Sequence, residues 1–346
     1  MKQSNKLIGQ WLMLGVVMLI IQVLLGGITR LTGSGLSITE WKPILGALPP
    51  LNESDWLKAF EQYKQIAQFK FMNQDFTLGD FKFIYFWEWF HRNWARFIGV
   101  AFLIPFIYFL YKKMITKEMV PKLIGLFLLG IAQGLIGWIM VASGLNDENL
   151  YVSHIRLAVH FISALVLIAF TYWFALSLLV KTEDRIEDAG LRKMTIAIIA
   201  LLFVQLVYGA FMAGLKAATV APTWPSINGD YFPAALGTQS WINHPINIHF
   251  VHRMLAYLLV VVILYWYLKA AKNIQSTYFN RFKWVPLGLV VVQLVLGIST
   301  VLFSTQLARN SFGQFEWSAQ LHQIVAMLLV MSFVWVLYVL KRVERV

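Results

Sequence analysis

Six stretches of this chain run for 22 residues or more without a charged side chain: Leu7–Thr29, Leu123–Asn146, Leu157–Val180, Met194–Leu215, Trp284–Ala308 and Trp317–Leu340. About 20 apolar residues at ~1.5 Å each cross the ~30 Å hydrocarbon core of a bilayer, so each run is long enough to span a membrane as a helix. Two further uncharged runs, Phe97–Tyr111 and Met254–Leu268, are 15 residues long. Mostly apolar sequence extends both toward the N-terminus, from Ile84 and from about Asn247. The pattern predicts eight transmembrane helices in an all-α integral membrane protein, because unpaired backbone groups are not tolerated in lipid. Only 13% of residues are charged, against ~25% in ordinary globular chains, which excludes a soluble enzyme and a disordered chain. The first run exceeds the roughly 7–15-residue core of a cleaved signal peptide, and no small-x-small site follows it.

The net charge of +12 reads as topology once its placement is followed. With the N-terminus inside, seventeen of the 29 Lys and Arg residues fall on the inner side, in the termini and around Lys112–Lys122, Lys181–Lys193 and Lys269–Lys283. The other twelve lie outside, half of them between Arg30 and Lys82, where acids balance them. The positive-inside bias predicts a multi-pass protein of a bacterial inner membrane with both termini cytoplasmic, surrounded by lipid and with no nucleic-acid surface. Because the chain contains no cysteine, iron–sulfur clusters, thiolate metal sites and covalent c-type haem attachment are excluded.

The odd-numbered helices share a Gln-x-x-x-Gly pattern, at Gln22/Gly26, Gln133/Gly137, Gln205/Gly209 and Gln293/Gly297, and no even helix carries it. Helix packing accounts for such a pattern, since Gly permits close approach and Gln bonds across an interface; contact with a cofactor is the alternative. The even helices carry His91-Arg92, His160, His252-Arg253 and His322 near their starts. The first histidine precedes the second by 69 residues in one half and 70 in the other, and each glutamine follows its histidine by 42 and 41. Two intervals agreeing within one residue imply a duplicated four-helix unit. Four is an even number of crossings, so the copies are parallel: two tandem four-helix bundles related by a pseudo-twofold, divided as 1–182 and 183–346. The halves differ in an outer segment of about 31–83, expected to be partly an interfacial amphipathic helix.

All four histidines are expected in the first two turns of helices running from outside to inside. Ionisable groups at that depth are costly and usually functional. A neutral imidazole from each of two facing helices can clamp a haem iron, so two pairs imply two haem sites, one per half, near the outer (periplasmic) face. Arg30, Arg92, Arg96, Arg156, Arg253 and Arg309 lie near the same level, where guanidinium groups could meet haem propionates or simply anchor the helices at the interface. The repeat breaks at one informative place. Glu88 stands three residues before His91, and His249 three before His252. A carboxylate in one pocket only is a natural general acid or base, or else an orienting partner for a neighbouring group or merely an interfacial glutamate. The asymmetry suggests a reaction site in the N-terminal half and an electron-transfer haem in the C-terminal half.

These residues carry a family resemblance. Glu88-Trp89-Phe90-His91-Arg92, Arg156-Leu157-Ala158-Val159-His160, His252-Arg253-Met254-Leu255-Ala256-Tyr257 and Leu321-His322-Gln323 resemble the motifs of haem A synthase. So do Gly26-Gly27-Ile28-Thr29-Arg30-Leu31-Thr32, Ser34-Gly35-Leu36-Ser37 and Glu40-Trp41-Lys42-Pro43, in a version similar to the mitochondrial and alphaproteobacterial branch. The resemblance covers about residues 20–330. It implies oxidation of a haem O methyl group to the formyl group of haem A for terminal oxidases. It also implies His91 and His160 at the substrate haem, His252 and His322 at a resident haem b, and Glu88 in catalysis. Haem O synthase would be the source of the substrate; the electron acceptor and any homo-oligomer stay open. Some members carry a cysteine pair in the first outer loop, and this chain has none. Two rivals remain: a dihaem b-type quinol oxidoreductase using the same histidines, and a transporter built from parallel repeats, although transporters concentrate polar groups near the midplane.

Overall fold

The computed structural model describes residues 2–42, 45–272, 276–307 and 311–340. Pro43, Arg309 and the C-terminal Lys341, Arg342 and Arg345 lie outside the described residues. Twelve α-helices are found among those described: α1 (Lys2–Leu31), α2 (Glu53–Tyr63), α3 (Ala67–Met72), α4 (Leu78–Tyr111), α5 (Val120–Ala142), α6 (His154–Leu179), α7 (Ala189–Gly214), α8 (Ala217–Val220), α9 (Pro245–Ala271), α10 (Thr277–Phe282), α11 (Val285–Leu302) and α12 (Gln314–Val339). Eight spans are long and apolar enough to cross a membrane: α1, α4, α5, α6, α7, α9, α10 continuing into α11, and α12. No strand is present among the described residues.

Local chemistry sets where these helices start. Pro121, Pro245 and Pro286 stand in the first turns of α5, α9 and α11, where a missing N–H costs nothing. Asp188 caps α7 by accepting the Leu191 N–H at 2.8 Å. Thr77 and Asp80 form a capping box that opens α4 at Leu78, six residues before the expected Ile84. The outer segment is correspondingly shorter than expected, and His91 lies thirteen residues into its helix rather than within two turns. The physical reason is the outer cluster: Phe81 and Ile84 are buried against Phe60, Tyr63 and Ile66, so the first turns of α4 have a core of their own. Asn73 donates to the Tyr63 hydroxyl, which donates to Gln68, and Gln68 donates to the Gly33 carbonyl, tying this cluster to the end of α1. Burial pushes the Tyr63 phenol up to about 12, so it remains a neutral donor in that chain.

The same helix pairings occur in both halves. α1 packs on α4 and α6, and α5 on α4 and α6; correspondingly, α7 packs on α9 and α12, and α11 on α9 and α12. Between the halves α6 meets α7, α1 meets α12, and α6 meets α12. At the α1–α12 contact, Gln323 and Gln320 donate to the carbonyls of Val23 and Leu24 at 3.0 and 3.2 Å. A Cβ at Gly27 would collide with the Gln320 amide, so a side chain there would displace that amide from the contact.

The halves differ in their lower cores. In the C-terminal half Trp266 is fully buried, donates to Thr195 at 2.9 Å, and packs on Phe279 and Phe333. The N-terminal residue at the same distance from its histidine is Pro105, inside α4. Pro105 cannot donate to the Ala101 carbonyl one turn earlier, and the Trp11 indole donates there instead, at 3.2 Å.

Candidate haem site

Every Gln-x-x-x-Gly motif meets one of the four histidines. The Gln22 amide nitrogen lies 3.3 Å from both ring nitrogens of His91, and Gln133 reaches His160 Nδ1 at 3.1 Å. Gln205 and Gln293 reach Nε2 of His252 and His322 at 3.4 and 3.1 Å. One turn away, the glycine of the motif lies against the same ring. A Cβ on Gly26, Gly137, Gly209 or Gly297 would come 3.1, 2.8, 3.2 or 3.0 Å from Cε1 of His91, His160, His252 or His322. The motif is thus a seat for an imidazole: Gly makes the room and Gln supplies an N–H. Neutral imidazole, with one unprotonated ring nitrogen, is the form that ligates iron. His322 is further oriented through Nδ1, which donates to the Gln293 carbonyl at 3.1 Å and leaves Nε2 as the acceptor.

All four histidines, glutamines and glycines line one cavity of about 1950 Å³. Pockets for a single small ligand are roughly 300–1,000 Å³, so this space suits two large ones. Among the described residues no group of three or more His, Asp or Glu is arranged to hold a bare metal ion. Histidines in twos suit an iron whose other positions are filled by a planar macrocycle. The His252 and His322 ring centroids are 6.4 Å apart. Two imidazoles on opposite sides of one metal, with nitrogens ~2.0–2.1 Å from it, have centroids roughly 6 Å apart. Buried polar atoms without a hydrogen-bond partner among the described residues also gather here: Oε1 of Gln22, Gln205 and Gln293, and Nδ1 of His252. The donor set and its spacing fit a haem. Gly137→Ala should push the His160 ring aside and weaken haem binding in the N-terminal half at least tenfold. Gly125→Ala, on the same helix but facing open space, should leave it unchanged; spectral titration of the two purified variants makes the comparison.

The arginines divide. Arg30 lines the cavity and its guanidinium has no hydrogen-bond or ion-pair partner among the described residues, which leaves it available to an anionic ligand. Arg92 and Arg253 also line it but hold loops. Arg92 donates to the carbonyls of Ile38 and Glu40; Arg253 donates to those of Thr223, Pro225 and Ser226. Arg96 lines the cavity and donates to the Lys42 carbonyl. Arg156 is exposed, donates to the Ile139 carbonyl at 3.0 Å and does not line the cavity. His154 bonds the Ile242 carbonyl away from the cavity, and His244 precedes α9.

Glu88 is buried, lines the cavity and is fully coordinated. Its carboxylate accepts from the Ser37 hydroxyl at 2.7 Å and the Ile38 N–H at 2.8 Å, and pairs with Arg92 one turn on. His249 takes the equivalent place in the other half, where its Nε2 accepts from Arg253 at 3.1 Å. Both pairs therefore bolt an arginine to the loop that follows the first helix of their half. In its contacts Glu88 is the orienting partner that the sequence offered as an alternative to acid–base chemistry, since it fastens Arg92 beside the loop that carries Ser37 and Ile38.

Sequence reasoning gave no role to three of the lining residues, Trp41, Trp224 and Glu316. Trp41 and Trp224 occupy matching positions after the first helix of each half, 183 residues apart, as are Gln22 and Gln205. Trp41 stacks on Trp138 at 4.7 Å between centroids, and Trp224 donates to the Tyr257 hydroxyl at 3.0 Å. Extending the repeat past Gly26 and Gly209 would have found both tryptophans. Glu316 is buried at the cavity in the first turn of α12 and accepts the Gly313 N–H at 2.9 Å. An acid in the turn before an apolar run is its only signal in the sequence.

Comparison with known proteins is consistent over the full length. A family described as cytochrome oxidase assembly protein matches residues 9–334. A protein of Flavobacterium johnsoniae named "Heme A synthase" is 38% identical over 99% of this chain and 100% of its own. One of the same name from Rhodospirillum centenum is 42% identical over 99% of this chain and 90% of its own, and one from Parvibaculum lavamentivorans is 42% identical over 85% of each. With its site built from repeated imidazole seats and these matches spanning almost its whole length, the chain belongs to the haem A synthase family of membrane oxidoreductases.

Proposed function

We propose that the chain oxidises a methyl group of haem O to the formyl group of haem A, with the substrate on His91 and His160 and a resident b-type haem on His252 and His322. The observation that carries this reading is the fourfold Gln–Gly–His seat around a single cavity. When bound, a haem iron supplies one-electron redox chemistry. The chain's own groups do the rest. His91 and His160 orient the substrate porphyrin, and Arg30 meets a propionate at the outer end of α1. Glu88, whose carboxyl group accepts from Ser37 and Ile38 and pairs with Arg92, accepts protons released as methyl carbon–hydrogen bonds are replaced by bonds to oxygen from water, the electrons leaving to the acceptor. Trp41 and Trp138 cover the outer side and restrict water. Phe161 and Leu206, on the facing helices α6 and α7, line the cavity where the halves meet and would separate the two haems with apolar side chains.

In this reading residues 1–182 form the substrate half and 183–346 the electron-transfer half, related by a pseudo-twofold along the membrane normal. The basic residues favour cytoplasmic termini and haem sites toward the periplasm. Haem O reaches the site from the membrane, where haem O synthase would release it, and electrons leave to an acceptor. Extraction of porphyrins from the purified protein tests the function. Haem B together with haem O or haem A is expected. Haem B alone would identify a dihaem quinol oxidoreductase, and a colourless protein a transporter.

A further inference from the structure

The cavity is not equally deep in the two halves. Beyond His91 its wall continues along α4 to Leu103, twelve residues further, whereas beyond His252 it stops at Val260, eight residues on. On α1 it runs inward from Gln22 to Trp11, but on α7 only from Gln205 to Leu202. The repeat explains the difference. Gly15, Gly99, Gly130 and Gly134 in the N-terminal half correspond, by their distance from the Gln or His of their own helix, to Ile198, Val260, Val290 and Leu294. Ile198 and Val290 are buried, and with Trp266 they close the space below the second histidine pair. A Cβ on any of the four glycines would meet nothing within 4 Å. The extra space also opens sideways. Val100 and Leu103 on α4, and Ile131 and Leu135 on α5, line the cavity while remaining exposed on the lipid-facing surface.

We propose that this cleft between α4 and α5 seats the long hydrocarbon tail of the substrate porphyrin, admitted sideways from the lipid, and that its absence below His252 and His322 restricts the second site to a haem without such a tail. The proposal rests on the N-terminal half being the substrate half. Twelve helical residues give the cleft a length of about 18 Å, the reach of an extended hydrocarbon on the order of a dozen carbons. Its walls are Leu, Phe, Val, Ile, Met, Ala, Trp and Gly, and the hydroxyl of Thr171 at its floor donates its proton to the Leu167 carbonyl at 2.8 Å. Empty apolar space of this size is unfavourable and stays dry, so an apolar chain is the occupant its chemistry selects. Continuity with the His91–His160 pair means that the chain and the ring it hangs from are bound together.

The test gives the cleft the residues of the other half, in the full-length protein: Gly130→Val with Gly134→Leu, and separately Gly99→Val. Each is titrated with a haem bearing an isoprenoid tail and with tailless haem B, read by the Soret shift at the N-terminal site. The spectrum of the resident haem serves as the folding control. The unaltered protein should bind the tailed haem at least tenfold more tightly than haem B. Filling the cleft should erase that preference by weakening the tailed haem alone. Equal affinities in the unaltered protein, equal weakening of both haems, or no change in either variant would overturn the tail seat while leaving the substrate half intact. Failure of both haems to bind at this site in the unaltered protein would overturn the substrate assignment and the tail seat with it.

Discussion

Replacing His252 or His322 with alanine should strip the b-type haem from the purified protein, while His91→Ala or His160→Ala should leave that haem in place and stop conversion of haem O. The rings are seated by separate pairs of helices: His252 and His322 against α7 and α11, His91 and His160 against α1 and α5. Losing a group that merely orients a metal ligand typically costs ~10–100-fold in affinity, so losing one of two ligands should exceed ~100-fold. The damage should stay local, because each seat uses a glycine and a glutamine of its own half. Haemochrome spectra report the resident haem and chromatography of extracted porphyrins reports conversion. Equal haem loss in all four variants would show that the two pairs do not serve separate sites.

The second large effect is expected at Glu88. Glu88→Gln retains the shape of the side chain and an acceptor for the Ser37 hydroxyl and the Ile38 N–H, but loses basicity and the charge opposite Arg92. General acid–base assistance is worth about 10²–10⁴-fold, so haem O or a partly oxidised intermediate should accumulate while the resident haem stays bound. Ser37→Ala separates this role from loop positioning. It removes one donor to the carboxylate and leaves both the carboxylate and Arg92, so its rate should fall less than tenfold. Normal haem A yield in Glu88→Gln would make Glu88 a fastening for the 34–40 loop and nothing more.

Much of this architecture is legible in the sequence because lipid imposes length and periodicity on anything that crosses it. Eight runs, four histidines and two nearly equal spacings lead directly to the eight spans and the paired imidazoles. The Gln-x-x-x-Gly motif is visible as a repeat, yet its purpose depends on which helices face each other. Only the fold brings Gln22 and Gly26 to His91, 69 and 65 residues away. The partners of Glu88 are harder still, because Ser37 and Ile38 sit in a loop whose path no local pattern dictates. The start of α4 was misplaced for a related reason: Phe81 and Ile84 are buried by a loop cluster rather than by lipid, and hydropathy does not distinguish the two. The deep cleft was written in the sequence throughout, as Gly15, Gly99, Gly130 and Gly134 against larger residues, but it becomes readable only when the two copies are aligned position by position.

The fully buried Trp266 has a mechanical consequence. Well-packed interiors resist deformation, and local opening is easiest where apolar contacts are fewest. The half built around Trp266, Phe279 and Phe333 is therefore the stiff one, and the half with Pro105 and open glycines is the pliant one. A large guest admitted to the pliant half would supply there the contacts that Trp266 supplies permanently in the other. Occupancy would then govern how long the chain survives as well as what it does. Starved of its guest, the protein would open first along the seam of α4 and α5, and binding the guest would strengthen that seam.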